Sequence, residues 1–359
     1  MGEGGRAPVG IALVGAGSIS CVYVDALARN PGAWIVGVAS RTMASARKLA
    51  KRCDAPLAVP YTELEPLLAD SRVSVVCVNS TNHLHAEHAI GALNAGRHVV
   101  VEKPLCLSLE DADRMIQAAW DAGRGLGYAE NLCFAPHHRH AREVVASGSL
   151  GRVVFARQCE KHAGPYSDWF YEREPAGGGA LLDMGCHGIE LLRWLFGKPR
   201  VRRVSASLDT LRHRERTRLE DTAWVQMELE CGARLVSESS WSLEGGMESR
   251  LEVHGTEGTL QVDLLGEGGV RVFRRGEGWK VEHPDLQRLS GYPQELDHFL
   301  DAFARGEPPE ETGEDGRAVL EILLAAYASA GRGAPVELPF DAPAVERPID
   351  LWLGKTGTG

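Results

Sequence analysis

The sequence predicts an α/β protein of two domains, in which a doubly wound parallel sheet is followed by an α+β domain with a large, mainly antiparallel open sheet. The first observation is length, because 359 residues exceed the ~250–300 at which a single hydrophobic core stops growing. The second is a regular alternation of strand and helix patterns up to about residue 130, which indicates a parallel sheet. The third is a run of strand patterns joined by short turns beyond about residue 150, which is typical of antiparallel sheets.

The first domain begins with a strand and a glycine turn. The continuous apolar run at 9–14 predicts a strand buried on both faces, and Gly15-Ala16-Gly17-Ser18-Ile19-Ser20 follows it and opens a helix. Further strands are predicted at 34–39, 73–78 and 98–101, and helices at 44–52, 86–95 and 109–122. We therefore predict a Rossmann domain over residues 1–130.

The second domain is predicted over residues 131–345, with a C-terminal tail at 346–359. Its strand patterns lie at 201–208, 222–229, 234–240, 250–254 and 259–264, and its helices at 179–196, 292–305 and 315–330. Strands of this kind, with helices before and after them, predict an α+β domain.

Composition excludes several classes of protein. A net charge of -10 argues against nucleic acid as a partner, because such proteins need a basic face. No apolar segment is long enough to cross a membrane, and residues 1–8 lack the apolar stretch of a signal peptide, so we expect a cytoplasmic protein. The eight cysteines form no CxxC pair, which predicts reduced thiols. Histidine groups at 83–88 and 137–140 are interpreted as structural or surface residues, so no metal is expected.

The glycine turn predicts a dinucleotide site. Gly15 allows the tight bend, Gly17 lets a pyrophosphate approach the backbone, and Ser18 and Ile19 begin a helix whose N-terminus attracts phosphate. The third position of the pattern is Ser20 rather than glycine, which weakens the match.

The end of the second strand favours NADP over NAD modestly. An NAD enzyme usually carries an acidic residue here, whereas this chain has Ser40 and Arg41. A guanidinium suits a 2′-phosphate, but NAD stays open because Arg41 could instead stack on adenine.

Two further motifs carry a family resemblance. Glu102-Lys103-Pro104 follows the strand predicted at 98–101, and Asp183-Met184-Gly185-Cys186-His187 opens a helix of the second domain. With the glycine turn, and in this order, these motifs carry a resemblance that extends over nearly the whole chain. The sequence resembles the glucose-fructose oxidoreductase, inositol dehydrogenase and MocA family.

The resemblance implies site residues. Lys103 would lie beside nicotinamide and substrate, and Asp183 and His187 would handle the substrate hydroxyl. It further implies that the substrate is bound by Tyr292 and that the cofactor is contacted by Ser80, Asn82, His85, Glu102, Asn131, Trp169 and Arg173. For several of these residues, a core or capping role is the alternative.

The spacing of Asp183 and His187 agrees with this chemistry. At i and i+4 both project from one face of a helix, where a carboxylate can orient an imidazole and stabilise its protonated form. Oxidation of an alcohol needs a base for the hydroxyl proton and a cation for the developing alkoxide. His187 would be the base and Lys103 the cation. Taken singly, each would more often be a core or surface residue, but their co-occurrence with the glycine turn favours the catalytic role.

The resemblance implies an NAD(P)-dependent dehydrogenase that oxidises a ring secondary hydroxyl of a sugar, inositol or amino sugar to a ketone, or catalyses the reverse. Aminoglycosides and nucleotide sugars are included among the candidates. A non-catalytic NAD(P)-sensing module and a redox-neutral NAD-dependent glycosidase on the same fold are the alternatives. The arginines of 210–220 could bind a phosphate or carboxylate of the substrate, but the interleaved acids favour a solvated loop.

The resemblance also implies a homodimer or homotetramer formed through the face of the second sheet. The alternating apolar residues Ala223, Val225, Met227 and Leu229 are interpreted as part of that face.

Overall fold

The computed structural model describes residues 8–266, 269–282 and 290–354; the predicted N-terminal segment and tail lie partly outside them. The strands are β1 (Val9–Val14), β2 (Ala33–Ser40), β3 (Leu57–Pro60), β4 (Val75–Val78), β5 (His98–Glu102), β6 (Leu126–Ala129), β7 (Val153–Lys161), β8 (Val201–Asp209), β9 (Thr222–Leu229), β10 (Arg234–Ser240), β11 (Glu248–Gly255), β12 (Gly258–Asp263), β13 (Val270–Arg274), β14 (Gly278–Glu282) and β15 (Val336–Glu337). The α-helices are α1 (Ser18–Leu27), α2 (Met43–Arg52), α3 (Glu65–Ala69), α4 (His85–Asn94), α5 (Leu109–Ala122), α6 (Pro136–Ala146), α7 (Arg173–Ala176), α8 (Cys186–Leu195), α9 (Tyr292–Arg305), α10 (Gly313–Arg332) and α11 (Asp350–Leu353). Over the described ranges, none of these helices has the length and apolar character needed to cross a membrane.

The first unit contains a parallel sheet of order β3-β2-β1-β4-β5-β6. This is the order of a doubly wound dinucleotide-binding fold, so the predicted Rossmann domain is confirmed. The strands β1 and β4 are almost completely buried, because helices cover both faces of such a sheet. The short strands β3 and β6 were not predicted from the sequence.

The chain returns to the first unit after it has formed much of the second. Residues 292–317 belong to the first unit, whereas the sequence predicted a continuous second domain over 131–345. The reason is the apolar face of α9, since Leu296, Phe299 and Phe303 join the core cluster that contains Ile11 and Tyr23.

The approach of α9 to the sheet is close. A Cβ atom at Gly127 would lie 2.5 Å from the Phe299 ring, and one at Gly125 would lie 2.3 Å from the Phe303 ring. Glycine at these two positions therefore lets the aromatic rings of α9 pack directly on the backbone at β6.

The second unit contains a sheet of order β14-β13-β12-β11-β7-β10-β9-β8-β15. The predicted mainly antiparallel sheet is confirmed, with one parallel pair between β7 and β10. Strand β7 was not predicted, although it lies in the middle of the sheet. The helix α8 packs on β7 and β10.

The alternating residues of β9 correct one interpretation. Ala223, Val225, Met227 and Leu229 are each at most 4% exposed, so they belong to the core of this unit rather than to a free face. The outward positions of β9 are instead Trp224 and Gln226. The period of two was right, but the pattern alone could not say which face the helices cover.

The predicted helix at 179–196 is interrupted. Residues Leu181–Gly185 form a π-helical turn, and α8 begins only at Cys186. Such turns occur mostly as single insertions within α-helices, and often at functional sites. Asp183 lies inside this π-turn, and its position there agrees with its choice as a candidate site residue.

Candidate functional site

The glycine turn after β1 fits a phosphate group. Gly15 has a φ of +133°, and a Cβ atom there would lie 2.2 Å from the carbonyl oxygen of Asn79, so only glycine is accommodated. Gly17 is the N-cap of α1, and a Cβ atom there would meet nothing within 4 Å. The N-terminus of α1 thus has open space beside it, no side-chain cap and no acidic residue in its first turn, as a bound pyrophosphate requires. Ser18 and Ile19 form the first turn of α1.

Ser20 explains the departure from the glycine pattern. Its hydroxyl donates to the carbonyl oxygen of Gly15 at 2.9 Å and accepts from Asn79 Nδ2 at 3.3 Å. The serine is completely buried, so it braces the turn from beneath. Neither this role nor Asn79 was predicted from the sequence, because Asn79 and Ser20 are 59 positions apart in the chain.

The two residues predicted to favour NADP over NAD, Ser40 and Arg41, lie at the end of β2. Ser40 is buried and Arg41 is exposed. The Arg41 charge is near Tyr61, where it opposes the effect of burial, which raises the pKa of the tyrosine to about 12. The guanidinium is therefore placed beside the carboxyl end of the sheet and open to solvent.

The loops after β4 and β5 are joined by His85. Its Nδ1 lies 2.8 Å from the carbonyl oxygen of Pro104, and its Nε2 lies 3.0 Å from the carbonyl oxygen of Ser80. Burial lowers the pKa of His85, so the neutral ring donates to one of these two carbonyl oxygens and only contacts the other. The expected contact of His85 with the cofactor stays a prediction. Asn82 is buried in the 3-10 turn before α4.

Lys103 directly precedes Pro104, whose carbonyl oxygen contacts His85. Its peptide bond to Pro104 is cis, and its backbone N–H donates to the Glu102 carboxylate at 3.1 Å. Glu102 is itself buried. The Glu102-Lys103-Pro104 segment is therefore fixed by its own carboxylate on one side and by His85 on the other.

In the second unit, Asp183 lies among aromatic and histidine side chains. Trp241 Nε1 donates to its Oδ2 at 3.0 Å, and His162 Nε2 lies 3.8 Å from the same oxygen. The backbone N–H of Gly164 donates to His162 Nδ1 at 2.9 Å, so in neutral His162 the proton is on Nε2 and faces Asp183. The sequence analysis missed His162 and Trp241.

His187 is bonded to a carboxylate that the sequence analysis did not select. Its Nδ1 lies 2.6 Å from Oε1 of Glu130, and both side chains are nearly inaccessible to solvent. A carboxylate at Nδ1 holds the proton there, which makes Nε2 the nitrogen with the lone pair. The imidazole is therefore preset to accept a proton at Nε2.

A buried carboxylate anchors the π-turn that carries Asp183. Oε1 of Glu220 accepts from the backbone N–H groups of Gly179 at 2.9 Å and Leu181 at 3.0 Å, and from the Tyr327 hydroxyl at 2.7 Å. Burial raises the pKa of Glu220 to about 7, although these donors oppose the rise. The start of the turn is thus held by a group that titrates near neutral pH.

The other predicted residues have contacts within their own units. Asn131 Nδ2 donates to the carbonyl oxygen of Ser290, and Trp169 stacks on Phe170 with ring centroids 3.8 Å apart. Arg173 donates from Nε and Nη2 to the two carboxylate oxygens of Asp350, at 2.9 and 2.7 Å.

Tyr292 belongs to the first unit and packs 6.2 Å from the Tyr23 ring. The described contacts of Arg173 and Tyr292 are thus those of structural residues. The expected substrate and cofactor contacts of these two side chains stay predictions.

Three arginines of 210–220, Arg212, Arg214 and Arg216, are paired with acids of the same unit. Arg212 bonds Glu244, and Arg216 bonds Asp168 while its guanidinium lies 3.6 Å from the Tyr171 ring centroid. These contacts favour the interpretation as a solvated, paired loop over a phosphate site.

Comparison with protein families gives two matches. Residues 9–129 match a family described as an oxidoreductase family with an NAD-binding Rossmann fold, and residues 138–261 match the GFO/IDH/MocA C-terminal domain. Together they cover most of the chain.

Individual relatives match over nearly their whole length. A 1,5-anhydro-D-fructose reductase of Ensifer adhaerens is 32% identical, over 91% of this chain and 97% of its own. A myo-inositol 2-dehydrogenase of Thermotoga maritima is 29% identical, over 91% and 98%. Among solved structures, GenD2 from gentamicin A biosynthesis, in complex with NAD, is 34% identical with a TM-score of 0.85, covering 95% of this chain and 99% of that one.

Proposed function

The chain belongs to the GFO/IDH/MocA oxidoreductase family, and on that premise we propose that it oxidises a ring secondary hydroxyl of an amino sugar or related sugar to a ketone, or catalyses the reverse. The family acts on sugars and inositols with a nicotinamide dinucleotide. The observation that carries the proposal for this chain is the buried His187 imidazole bonded to Glu130. The similarity to GenD2 supports an aminoglycoside-type substrate as the first class to test.

His187 is proposed as the base. Its Nε2 accepts the proton of the substrate hydroxyl while the carbon that bears this hydroxyl loses a hydride, so that the alcohol becomes a ketone and the proton is held on His187. Lys103 is proposed to stabilise the alkoxide. Asp183 is proposed to bind the substrate.

The dinucleotide is proposed to bind at the α1 N-terminus, held by the residues given for it above, Gly17 and Arg41 among them. When bound, it supplies the acceptor for the hydride. The open space at Gly17 supports this fit. The exposed guanidinium of Arg41 supports NADP over NAD, because a 2′-phosphate would gain a charge-assisted contact.

Residues 131–345 are proposed to bind the substrate and to form a homodimer or homotetramer through the outer face of the second sheet. Trp224, which is 40% exposed on that face, supports a partly apolar contact. Analytical ultracentrifugation checks this, and a monomeric mass would contradict it.

The first experiment is a titration of the protein with NAD(H) and NADP(H), followed by turnover of a panel of sugars, inositols and aminoglycosides. We expect tighter binding of NADP(H) and turnover of one class. His187→Ala and Lys103→Ala are each expected to lower kcat by about 100-fold or more, with dinucleotide binding retained. An unchanged rate in either variant removes that residue from the mechanism. Tight binding without any turnover would indicate a sensor or a redox-neutral glycosidase instead.

A further inference from the structure

Two histidine–carboxylate pairs lie in the second unit, and each histidine has its own carboxylate partner. Glu130 is bonded to His187, and Asp183 faces His162. The i and i+4 spacing, in contrast, predicts that Asp183 orients His187. We propose that Glu130 is the positioning residue of the base, and that it stabilises the imidazolium formed when His187 accepts the substrate proton. This inference rests on the proposed function.

The side chain of Glu130 is shielded from water. The residue is completely buried, Oε1 contacts His187 Nδ1 and, at 3.4 Å, the Leu132 N–H, and within the described residues Oε2 has no hydrogen-bond partner. A carboxylate placed so far from water is costly unless a positive charge meets it. Protonation of His187 supplies that charge at 2.6 Å. The pair is therefore stabilised most in the state that follows proton transfer, which is what accelerates a reaction.

The pair formed by Asp183 and His162 has different hydrogen-bond partners. The carboxylate of Asp183 already accepts from Trp241 Nε1, and the Nε2–H of His162 faces it. Through Trp241, these contacts connect Asp183 to the hydrophobic cluster that also contains Tyr171 and Met184. Asp183 contacts Trp241 and His162, whereas Glu130 contacts His187 and the Leu132 N–H, so the two acids can be tested separately.

A glutamine at position 130 separates two roles of Glu130. In Glu130→Gln the amide oxygen still accepts from His187 Nδ1–H, so ring orientation and tautomer are kept while the negative charge is removed. In Glu130→Ala the hydrogen-bond acceptor and the negative charge are both lost. If Glu130 serves only to hold the ring, Glu130→Gln rescues the activity that Glu130→Ala loses. If the charge is used, it does not.

The experiment compares steady-state kinetics of the two variants with a matched control. The control is Glu190→Gln, because Glu190 is also completely buried, lies on α8 with His187, and is paired with Arg193. We expect Glu130→Gln to lower kcat by about 10- to 100-fold, with substrate KM and dinucleotide Kd changed by less than about twofold, and to raise the solvent deuterium isotope effect on kcat. Glu190→Gln is expected to keep kcat within about twofold. Wild-type kinetics in Glu130→Gln would overturn the proposal.

A second measurement does not depend on turnover. Nuclear magnetic resonance of the ring nitrogens in histidine-labelled protein, with His187 assigned from His187→Gln, reports which nitrogen carries the proton. We expect a proton on Nδ1 with a strongly deshielded signal that loses this shift in Glu130→Gln. A His187 ring protonated on Nε2, or a signal unaffected by the substitution, would overturn the pairing. Should no substrate turn over, the proposed function fails, and this measurement still decides the role of Glu130.

Discussion

Glu220 makes the stability of the second unit depend on pH near neutrality. Its side chain is completely buried and its pKa is raised from 4.5 to about 7 by burial. The folded state therefore holds a proton that the unfolded chain releases at lower pH. The stability that this proton contributes is complete below about pH 4.5 and is lost as the pH rises through about 7.

The size of this effect follows from the two pKa values. Their separation corresponds to about 3 kcal/mol of unfolding free energy, of which about 2 kcal/mol is lost between about pH 5.5 and about pH 8. The variant Glu220→Gln mimics the protonated carboxyl, since its amide oxygen can still accept from Gly179, Leu181 and Tyr327. We expect its stability relative to the wild type to rise by about 2 kcal/mol over this pH range.

The assay is urea unfolding at the two pH values, followed by tryptophan fluorescence. The second unit provides fully buried reporters in Trp194 and Trp241. The comparison of wild type with variant at each pH cancels every other titrating group. A difference in unfolding free energy that is the same at both pH values would refute the reasoning, because Glu220 would then not change protonation over this range.

Two further predictions concern glycine and arginine positions of the predicted cofactor set. Gly17→Ala should change the unfolding free energy by less than about 0.5 kcal/mol and weaken dinucleotide binding about tenfold or more, because the added methyl enters only the space for phosphate. Gly15→Ala should instead destabilise the protein by about 2 kcal/mol or more, since its Cβ would lie 2.2 Å from a backbone oxygen. Urea unfolding and calorimetric titration measure both, and equal behaviour of the two variants would contradict the assignment. Arg173→Ala should lower the unfolding free energy by about 1–2 kcal/mol through loss of two charge-assisted bonds to Asp350, with dinucleotide Kd changed by less than about twofold; a large loss of binding would show a cofactor contact instead.

The sequence predicted most of the first unit, because the strands of a doubly wound sheet are short continuous apolar runs between helices. It missed β7, which mixes buried, partly buried and exposed positions without a regular period and includes Arg157 and Lys161. Such a strand gives a weaker signal than a fully buried one. The π-turn at Leu181–Gly185 was missed for another reason, since one inserted residue does not change the apolar period visibly.

The candidate site was predicted in part. The motifs gave Lys103, Asp183 and His187 as candidates, but not their partners. Glu130 is 57 positions from His187 and Glu220 is 39 positions from Leu181, so only the fold brings each pair together. The flanking Tyr128-Ala129-Glu130 could have signalled an acid near the site, because it precedes Asn131 at the carboxyl end of β6.

The position of α9 in the chain has a consequence for synthesis. The ribosome completes β6 long before it makes Leu296, Phe299 and Phe303, which belong to the same core cluster. At about 5–20 residues per second, residues 130–291 take on the order of 10–30 s to emerge. During that interval the nascent first unit exposes the apolar surface that α9 later covers, so this stage of biosynthesis is when a chaperone would be most needed and when aggregation would begin.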